Sequence, residues 1–477
     1  MRTLFLHPPS YEGFDGGAGS RYQAKREVRS FWYPTWLAQP AALVPGSRLV
    51  DAPAAGLSLA DVLPLADEYD LAVLHTSSPS FPGDVQLAAA LKERNPALIV
   101  GLVGAKVAVD PLGSLAAGPA IDFVAREEFD FTIAEVAEGR PWSEIAGLTY
   151  RGPDGTPVST PGRPVLEDMD ALPYVTEVYH RDLRVEDYYI GYLKHPYVSL
   201  YTGRGCRSRC TFCLWPQTVG GHRYRTRSPE HVLGEIELIQ RYFPQVKEIF
   251  FDDDTFTDDR RRAEEIARGL GRLGVTWSCN AKANVPYDTL RILRENGLRL
   301  LLVGYESGDQ QILNGIKKGI RVERARQFAR DCRELGITVH GTFIVGLPGE
   351  TTETIRRTVE YAREINPNTI QVSIAAPYPG TALYEQAQRE GWLPESAELV
   401  DAHGVQSAVL GYPDLAREEI FEAVETFYRR FYFRPRKIAE MSADMLRNPD
   451  MIGRRLREGS EFLRFLRGHH SAGAARP

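Results

Sequence analysis

The second half of the chain alternates strand-like and helix-like patterns, and this alternation restricts the fold more than any other feature. From Tyr197 onward, six short apolar segments are each followed by an amphipathic stretch with helical spacing. Strands that alternate with helices predict a parallel sheet. Six such units in this order indicate an open, partial (β/α)6 barrel over residues 195–391. Reactive side chains in such a barrel are expected at the carboxyl ends of the strands.

The first part of the chain alternates in the same way. Residues 1–140 predict a Rossmann-like, doubly wound parallel sheet, which binds ligands beyond the carboxyl ends of its strands. Residues 141–194 are rich in Pro, Gly and Asp and predict a linker with a hairpin that turns at Pro153–Gly155. Residues 392–477 predict a helical C-terminal region. The fold class is therefore α/β, with a parallel sheet, a partial barrel and a helical end.

Composition and charge exclude several classes of protein. The net charge is −6, and the Arg-rich basic residues do not indicate a nucleic-acid partner. Five cysteines in 477 residues do not suggest a disulfide framework, so we expect a cytoplasmic protein. The N-terminus lacks the apolar core of a signal peptide. The longest apolar run, Ala97–Val109, is shorter than the about 20 residues that a membrane span requires.

The stretch from Arg429 onward carries Arg, Phe and Leu at helical spacing. It is either a solvated helix that packs by its apolar face or a surface that touches anionic lipid. The second alternative predicts a cytoplasmic protein at the periphery of the inner membrane.

Three of the five cysteines lie within eight residues, at Cys206, Cys210 and Cys213, just after the first barrel strand. Thiolates are soft ligands that suit iron–sulfur sites. Three ligands on a four-iron cluster leave one iron open for chemistry. The alternative is a zinc knuckle, but zinc sites usually have four protein ligands, and Cys279 and Cys332 belong to other units.

This stretch, "RGCRSRCTFC", resembles the radical S-adenosylmethionine (SAM) superfamily, and the resemblance covers roughly residues 197–390. It implies that Cys206, Cys210 and Cys213 hold a [4Fe-4S] cluster and that Phe212 occupies the aromatic position before the third cysteine. The open iron would chelate the methionine end of SAM. Reductive cleavage, fed by a flavodoxin-type or ferredoxin-type reductant, would then release methionine and a 5′-deoxyadenosyl radical.

Later strand ends resemble the SAM contacts of the same superfamily. "FFDDDTF" implies that Asp253 and Asp254 bind the SAM ammonium, because carboxylates pair with ammonium groups. "GYESG" implies contacts to the ribose or the SAM carboxylate, and "GTFIVGLPGE" implies an adenine site. Lys282 stands where many relatives have Arg. The remaining SAM-binding candidates are Glu306, Ser307, Ile344 and Gly346.

A Rossmann-like domain ahead of such a barrel resembles the cobalamin-binding class of radical SAM proteins, which implies cobalamin as a further cofactor. No Asp-x-His-x-x-Gly motif is present, and "GLVGAKV" replaces the Gly-Gly-x-His that many members carry. The alternative is a sheet that docks on the barrel and binds nothing. The candidate cobalamin-binding residues, at two strand ends, are Thr76, Ser77, Ser78, Gly101, Val103 and Gly104.

The longer stretch "RCTFCLWPQTVGGHRYRTRSPEHV" resembles the hopanoid-biosynthesis radical SAM proteins of the cyclitol ether branch. This resemblance implies a hopanoid lipid substrate and ring contraction of the sugar on a bacteriohopanetetrol. One alternative is a cobalamin-dependent radical SAM methyltransferase, which would add a CH2 group and consume a second SAM. Another is a non-catalytic metal-binding scaffold. The residues that contact the reacting atoms are not predicted.

Overall fold

A computed structural model describes residues 1–9, 30–394, 397–400, 406–447, 453, 456–457 and 459–461. Its front domain is built on a seven-stranded sheet of order β2-β1-β3-β4-β5-β6-β7, whose first five strands are parallel. The strands are β1 Thr3–His7, β2 Arg48–Asp51, β3 Leu71–His75, β4 Ile99–Val103, β5 Phe123–Ala125, β6 Leu148–Arg151 and β7 Pro157–Ser159. The expected Rossmann-like sheet is present.

The predicted hairpin extends the front sheet and does not stand alone in a linker. Its first strand, β6, pairs antiparallel with β5, and β7 pairs antiparallel with β6. The helices that accompany the sheet and the segment after it are α1 Thr35–Leu43, α2 Ala52–Ala55, α3 Leu59–Val62, α4 Phe81–Arg94, α5 Ala105–Val109, α6 Pro111–Ala116, α7 Asp130–Ala137 and α8 Thr176–Asp182.

The two faces of the front sheet belong to two different cores. Leu4 and Leu6 of β1 pack in a core confined to the front domain. Phe5, between them, joins a larger core that also contains the barrel strands. Successive side chains of a strand point to opposite faces, so one face of this sheet is buried against the barrel. The front domain is therefore packed onto the barrel through an apolar surface.

The second half forms an open sheet of six parallel strands in the order β15-β14-β13-β12-β11-β8. Spatial order follows chain order, as predicted for a partial barrel. The strands are β8 Tyr197–Leu200, β11 Glu248–Phe251, β12 Trp277–Ala281, β13 Leu298–Glu306, β14 Thr338–Val345 and β15 Thr369–Ile374, and a separate antiparallel pair is formed by β9 Gly203–Arg204 and β10 Arg225–Thr226.

The barrel helices begin where the sequence offers capping side chains. Ser228, Asp259, Thr351 and Thr381 each accept a hydrogen bond from a backbone N–H in the first turn of the helix that follows. The helices are α9 Leu214–Thr218, α10 Pro229–Tyr242, α11 Arg260–Arg272, α12 Tyr287–Glu295, α13 Gln310–Gly315, α14 Val322–Glu334, α15 Thr352–Ile365 and α16 Ala382–Arg389.

The described part of the C-terminal region is mainly helical, as expected, and contains α17 Arg417–Tyr432 and α18 Pro435–Arg447. Helix α17 covers the edge strand β15. The backbone N–H groups of Ile370 and Val372 donate to the hydroxyls of Tyr432 and Tyr428, at 2.9 and 2.8 Å. Most of the predicted basic stretch after residue 447 lies outside the described residues. Within the described ranges, no helix combines the length and apolar composition needed to cross a membrane.

Candidate radical and cofactor site

The three clustered cysteines lie on a loop that follows β8. Gly205 turns the loop with φ of +86°, and a Cβ there would lie 2.2 Å from the carbonyl oxygen of Arg223, so only glycine fits. The N–H of Cys206 donates to the carbonyl of Gly221 at 3.2 Å, and that of Cys213 to the carbonyl of Cys210 at 3.3 Å. The backbone thus folds the three thiols into one region.

The environment of Cys210 and Cys213 raises the pKa of both thiols and so disfavours their thiolates in the absence of a cation. Burial raises the pKa of Cys210. The pKa of Cys213 lies well above its usual value because of burial and because of the charges of Asp254, Cys210 and Cys206. The charges of Cys206 and Cys210 thus disfavour a thiolate at Cys213. A cationic iron centre would compensate the charges that burial and proximity make unfavourable.

This donor set fits a cube better than a single ion. Among the described residues, no three His, Cys, Asp or Glu side chains converge on a point suited to one metal ion. A structural zinc ion needs ligands that converge, usually four. The cysteines of an iron–sulfur cluster bind separate irons and stay further apart. Three thiols on one loop match the number of protein ligands that the predicted cluster would need and are one fewer than a zinc knuckle usually has.

Gln217 holds the cysteine loop in shape, a role that the sequence did not reveal. Its Nε2 lies 3.3, 3.2 and 2.7 Å from the carbonyl oxygens of Cys210, Thr211 and Cys213. Its Oε1 accepts from the N–H of Ala382, at 2.9 Å. A glutamine four residues after a cysteine carries no signal for this role, because the bonds depend on the loop's fold.

The three acidic residues after β11 have different surroundings. The carboxylate of Asp253 accepts three hydrogen bonds of 2.6 Å, from the N–H and hydroxyl of Thr202 and from the hydroxyl of Tyr224. Asp254 lies near Cys213, whose pKa it raises. The structure therefore leaves Asp254 as a candidate for the SAM ammonium and gives Asp253 a structural role.

Asp252, which the sequence analysis did not single out, bonds to the neighbouring strand β12. It accepts a hydrogen bond from Asn280 Nδ2 at 3.1 Å. The register pairs Phe250 with Ser278, so Asp252 and Asn280 share one face two residues further along. Tyr201 donates to the second oxygen of Asp252 at 3.3 Å.

Glu306 ends β13 in a strained backbone conformation, with φ of 61°, just after a register shift against β14. Its Oε1 accepts a hydrogen bond of 2.5 Å from Lys318 Nζ. Burial alone lowers the pKa of Lys318, but Glu306, Cys210 and Cys213 together raise it above the usual value. Lys318 is a buried cation beside the thiols that the sequence analysis missed, because a helix separates it from the strand end.

The other predicted SAM contacts are distributed unevenly. Lys282 lies at the same edge and pairs with Asp258 at 2.9 Å. Ile344 is half-buried on the lumen side of β14. The Ser307 hydroxyl accepts from the N–H of Asp309 at 3.1 Å and lies 3.1 Å from the hydroxyl of Thr358, so it braces the loop.

The remaining two SAM candidates are Gly346, which directly follows β14, and Phe212, which lies in the cysteine loop. The N–H of Gly346 donates to Glu350 Oε2 at 2.7 Å, and its carbonyl accepts from the Tyr412 hydroxyl at 2.8 Å. Phe212 is half-buried and packs against the large core.

The two predicted strand ends of the front sheet lie side by side. The N–H of Thr76 donates to the carbonyl of Val103 at 2.9 Å. Gly104 has φ of +124°, and a Cβ there would lie 2.3 Å from the carbonyl oxygen of Thr76, so only glycine fits at this position. Ser77 and Ser80 share a hydrogen bond of 2.8 Å. Ser78 is half-buried at the same end.

Two of the predicted cobalamin contacts serve the sheet itself. A Cβ on Gly101 would lie 2.1 Å from the ring of Phe123, so this glycine makes room for an aromatic core residue. Val103 is fully buried in the large core. Nearby, burial lowers the pKa of His75 to about 3, which keeps its ring neutral.

Residues 200–362 match the sequence profile described as Radical SAM superfamily. The chain contains a radical SAM domain. Over 448 residues it is 28% identical to an uncharacterized methyltransferase of Pyrococcus horikoshii, with 91% of this chain and 93% of the relative covered. It is 26% identical to the anaerobic magnesium-protoporphyrin IX monomethyl ester cyclase of Rubrivivax gelatinosus, with 91% and 77% covered.

The predicted hopanoid relationship has narrower support. The hopanoid C-3 methylase of Methylococcus capsulatus is 26% identical over 218 residues, which are 44% of this chain and 39% of that protein. These relatives do not show the ring contraction of the cyclitol ether branch. They favour the methyltransferase alternative.

Solved structures confirm the fold class. The radical SAM enzyme OxsB with aqua-cobalamin and SAM bound superposes with a TM-score of 0.69 at 15% identity, covering 97% of this chain and 72% of that one. The methyltransferase TsrM from Kitasatospora setae, with tryptophan and a SAM analogue, gives 0.64 at 17% identity, covering 83% and 79%. TsrM has also been solved with cobalamin and a [4Fe-4S] cluster. The cofactors of these neighbours are those that the sequence predicts.

Proposed function

We propose that the chain is a cobalamin-dependent radical SAM methyltransferase. The observation that carries the proposal is that the predicted cobalamin-binding end of the front sheet lies beside the predicted cluster loop. Val109 of α5, which follows the front-sheet end at Gly104, and Thr218 of α9, which follows the cysteine loop, both approach Gly380: a Cβ there would lie 2.5 Å from the first and 3.0 Å from the second. The end of the front sheet and the cysteine loop thus adjoin.

The chain's own residues divide the work of binding. Cys206, Cys210 and Cys213 would hold the cluster, while Asp254 and the Glu306–Lys318 pair would bind the polar groups of SAM. When bound, the cluster supplies the electron that cleaves SAM, and cobalamin supplies the methyl group. Cys206 and Cys210 are buried and Cys213 is half-buried, which would limit the access of water to that step.

Anaerobic reconstitution with iron and sulfide tests the proposal. We expect four irons per chain, 5′-deoxyadenosine formation from SAM and, with a substrate, a product heavier by one CH2. Cys213→Ala should abolish SAM cleavage. Cys332→Ala is the matched control, because that thiol is buried in helix α14 away from the loop and should affect only packing. A Cys213→Ala protein that still forms 5′-deoxyadenosine contradicts the ligand assignment.

We further propose a substrate whose reacting part is uncharged and rich in hydroxyls. Alternate residues of β14 and β15 face the lumen half-buried: Thr342, Ile344, Gln371 and Ser373. Asn280 Oδ1 is buried and has no hydrogen-bond partner among the described residues, so it is an acceptor for a hydroxyl. The lysines at this edge, Lys282 and Lys318, are already paired with carboxylates.

The polar, uncharged side chains that β14 and β15 present to the lumen support a second candidate, the ring contraction of a glycosylated bacteriohopanetetrol, because a sugar presents neutral hydroxyls. Incubation with that lipid separates the two reactions. Methylation adds one CH2 and consumes a second SAM, whereas ring contraction leaves the number of carbons unchanged. A product that retains its carbon count would replace methylation as the proposed reaction.

A hopanoid substrate would require contact with a membrane surface. Large apolar side chains are exposed on and beside α18 at Phe433, Ile438, Met441 and Leu446. Arg436, on the same helix, is also exposed. We propose that this surface gives a cytoplasmic enzyme peripheral contact with anionic lipid. Ile438→Ser with Met441→Ser should reduce co-sedimentation with phosphatidylglycerol vesicles, while binding to phosphatidylcholine vesicles should be weak for both proteins.

A further inference from the structure

Arg204 connects the cysteine loop to the front domain across a buried interface. It lies two residues before Cys206, and its side chain is 1% exposed. Its guanidinium donates to both carboxylate oxygens of Asp130, at 2.6 and 2.9 Å, and to Gln39 Oε1 at 2.6 Å. Asp130 begins helix α7 and Gln39 lies in α1, so both partners belong to the front domain. A bidentate pair of this kind fixes direction as well as distance.

The charges at this interface are balanced as a group of four. Arg225, on the strand that pairs with Arg204, donates to both oxygens of Glu128, at 2.8 and 2.6 Å. Glu128 also lies 3.7 Å from Arg204. Two cations and two carboxylates, all nearly buried, thus neutralise one another. Removal of one carboxylate leaves a buried guanidinium uncompensated beside the loop.

A second contact holds the other end of the same loop. Trp36 of α1 stacks on Trp215, two residues after Cys213, with ring centroids 4.7 Å apart and planes within 6°. The guanidinium of Arg204 lies over the Trp36 ring at 4.8 Å. The Trp36 indole N–H donates to the Tyr201 hydroxyl at 2.9 Å, and Tyr201 donates to Asp252. One front-domain residue thus contacts both ends of the cysteine loop and, through Tyr201, the barrel lumen.

We propose that Arg204 is a positioning residue that couples the front domain to the cluster: Asp130, Gln39 and Trp36 hold it, and it fixes the loop and the charge beside the cluster. The inference rests on the proposed cluster at the three cysteines. The coupling is electrostatic as well as steric, because Arg204 lies two residues before a cysteine that would hold the anionic cluster and its charge is balanced from the other domain.

Asp130→Asn tests the electrostatic part. It leaves Arg204 less compensated, which favours the more negative, reduced cluster, so we expect the midpoint potential of the cluster to rise. Glu248→Gln is the matched control. Glu248 is a buried carboxylate whose two oxygens accept hydrogen bonds from two nitrogens of Arg299, at 2.8 Å each. It lies at the amino end of β11, away from the cysteines. A purely structural role would lower thermal stability in both variants and shift the potential in neither.

Arg204→Lys provides the second test and keeps the charge while it removes the fork and the stacking. We expect four irons per chain and a weakened effect of SAM on the electron paramagnetic resonance spectrum of the reduced cluster. If Asp130→Asn has the wild-type potential, or if that variant does not fold and Arg204→Lys keeps the wild-type response to SAM, the inference is overturned. A wild-type chain with no cluster signal would instead contradict the proposed function.

Discussion

Asp253 offers the sharpest test of how the structure divides the acidic residues. Asp253→Asn retains one oxygen, which can still accept from the Thr202 N–H, but it replaces the oxygen that accepts from the Thr202 and Tyr224 hydroxyls. A hydrogen bond to a charged acceptor contributes about 1.5–3 kcal/mol. Both hydroxyls can turn to accept from the new amide, so we take the lower limit for two bonds and expect a loss of about 3 kcal/mol in the free energy of unfolding.

The assay compares Asp253→Asn with Asp254→Asn by urea denaturation and by SAM binding to the reconstituted protein. We expect Asp253→Asn to lower the denaturation midpoint clearly. Asp254→Asn should leave the midpoint near wild type and weaken SAM binding about tenfold or more, the loss expected for one charge-assisted contact. The reasoning is refuted if Asp253→Asn keeps wild-type stability and loses SAM affinity instead.

Three further changes probe the site. Gln217→Ala should lower the iron content after reconstitution, because the carbonyls of the cysteine loop lose their shared donor; an unchanged iron content at wild-type stability contradicts this role. Lys318→Met should raise the KM for SAM, since Glu306 loses its cation, whereas Lys317→Met, one residue earlier, should not; equal effects would show that only the turn matters. Burial raises the pKa of Glu350 to about 8, so this carboxyl is more protonated in the folded chain than in the unfolded chain between about pH 4.5 and 8. This group therefore makes stability fall as pH rises through that window, and Glu350→Gln should flatten the fall in urea midpoints.

The sequence predicts the barrel because each strand is apolar and followed by a helix, and most of these helices begin at a capping side chain. It also predicts the cysteine loop, since ligand type and spacing are local properties. It does not distinguish the three residues of "DDD" after β11, whose partners come from different parts of the chain. Asp253 bonds to Thr202 and Tyr224, Asp252 bonds to Asn280, and Asp254 lies near Cys213.

Long-range partners explain the other omissions. Arg204 meets Asp130 and Gln39 across 74 and 165 residues. Nothing in a local pattern marks these partners, because each is an ordinary polar residue on a helix. Lys318 joins Glu306 only after helix α13 folds back toward the strand end. The same holds for the hairpin at Pro153–Gly155. Its first strand pairs with β5 because β5 is the edge of the parallel sheet, and the sequence does not reveal which strand lies at that edge.

The tyrosines of α17 have a consequence for self-association. An unprotected outermost strand invites pairing with a strand from another molecule. Here the amides of Ile370 and Val372 are already engaged by phenol groups, so that route to aggregation is blocked within one chain. A protein ending before Arg417 would lose this protection, and intermolecular pairing of the exposed strand β15 would then limit its solubility.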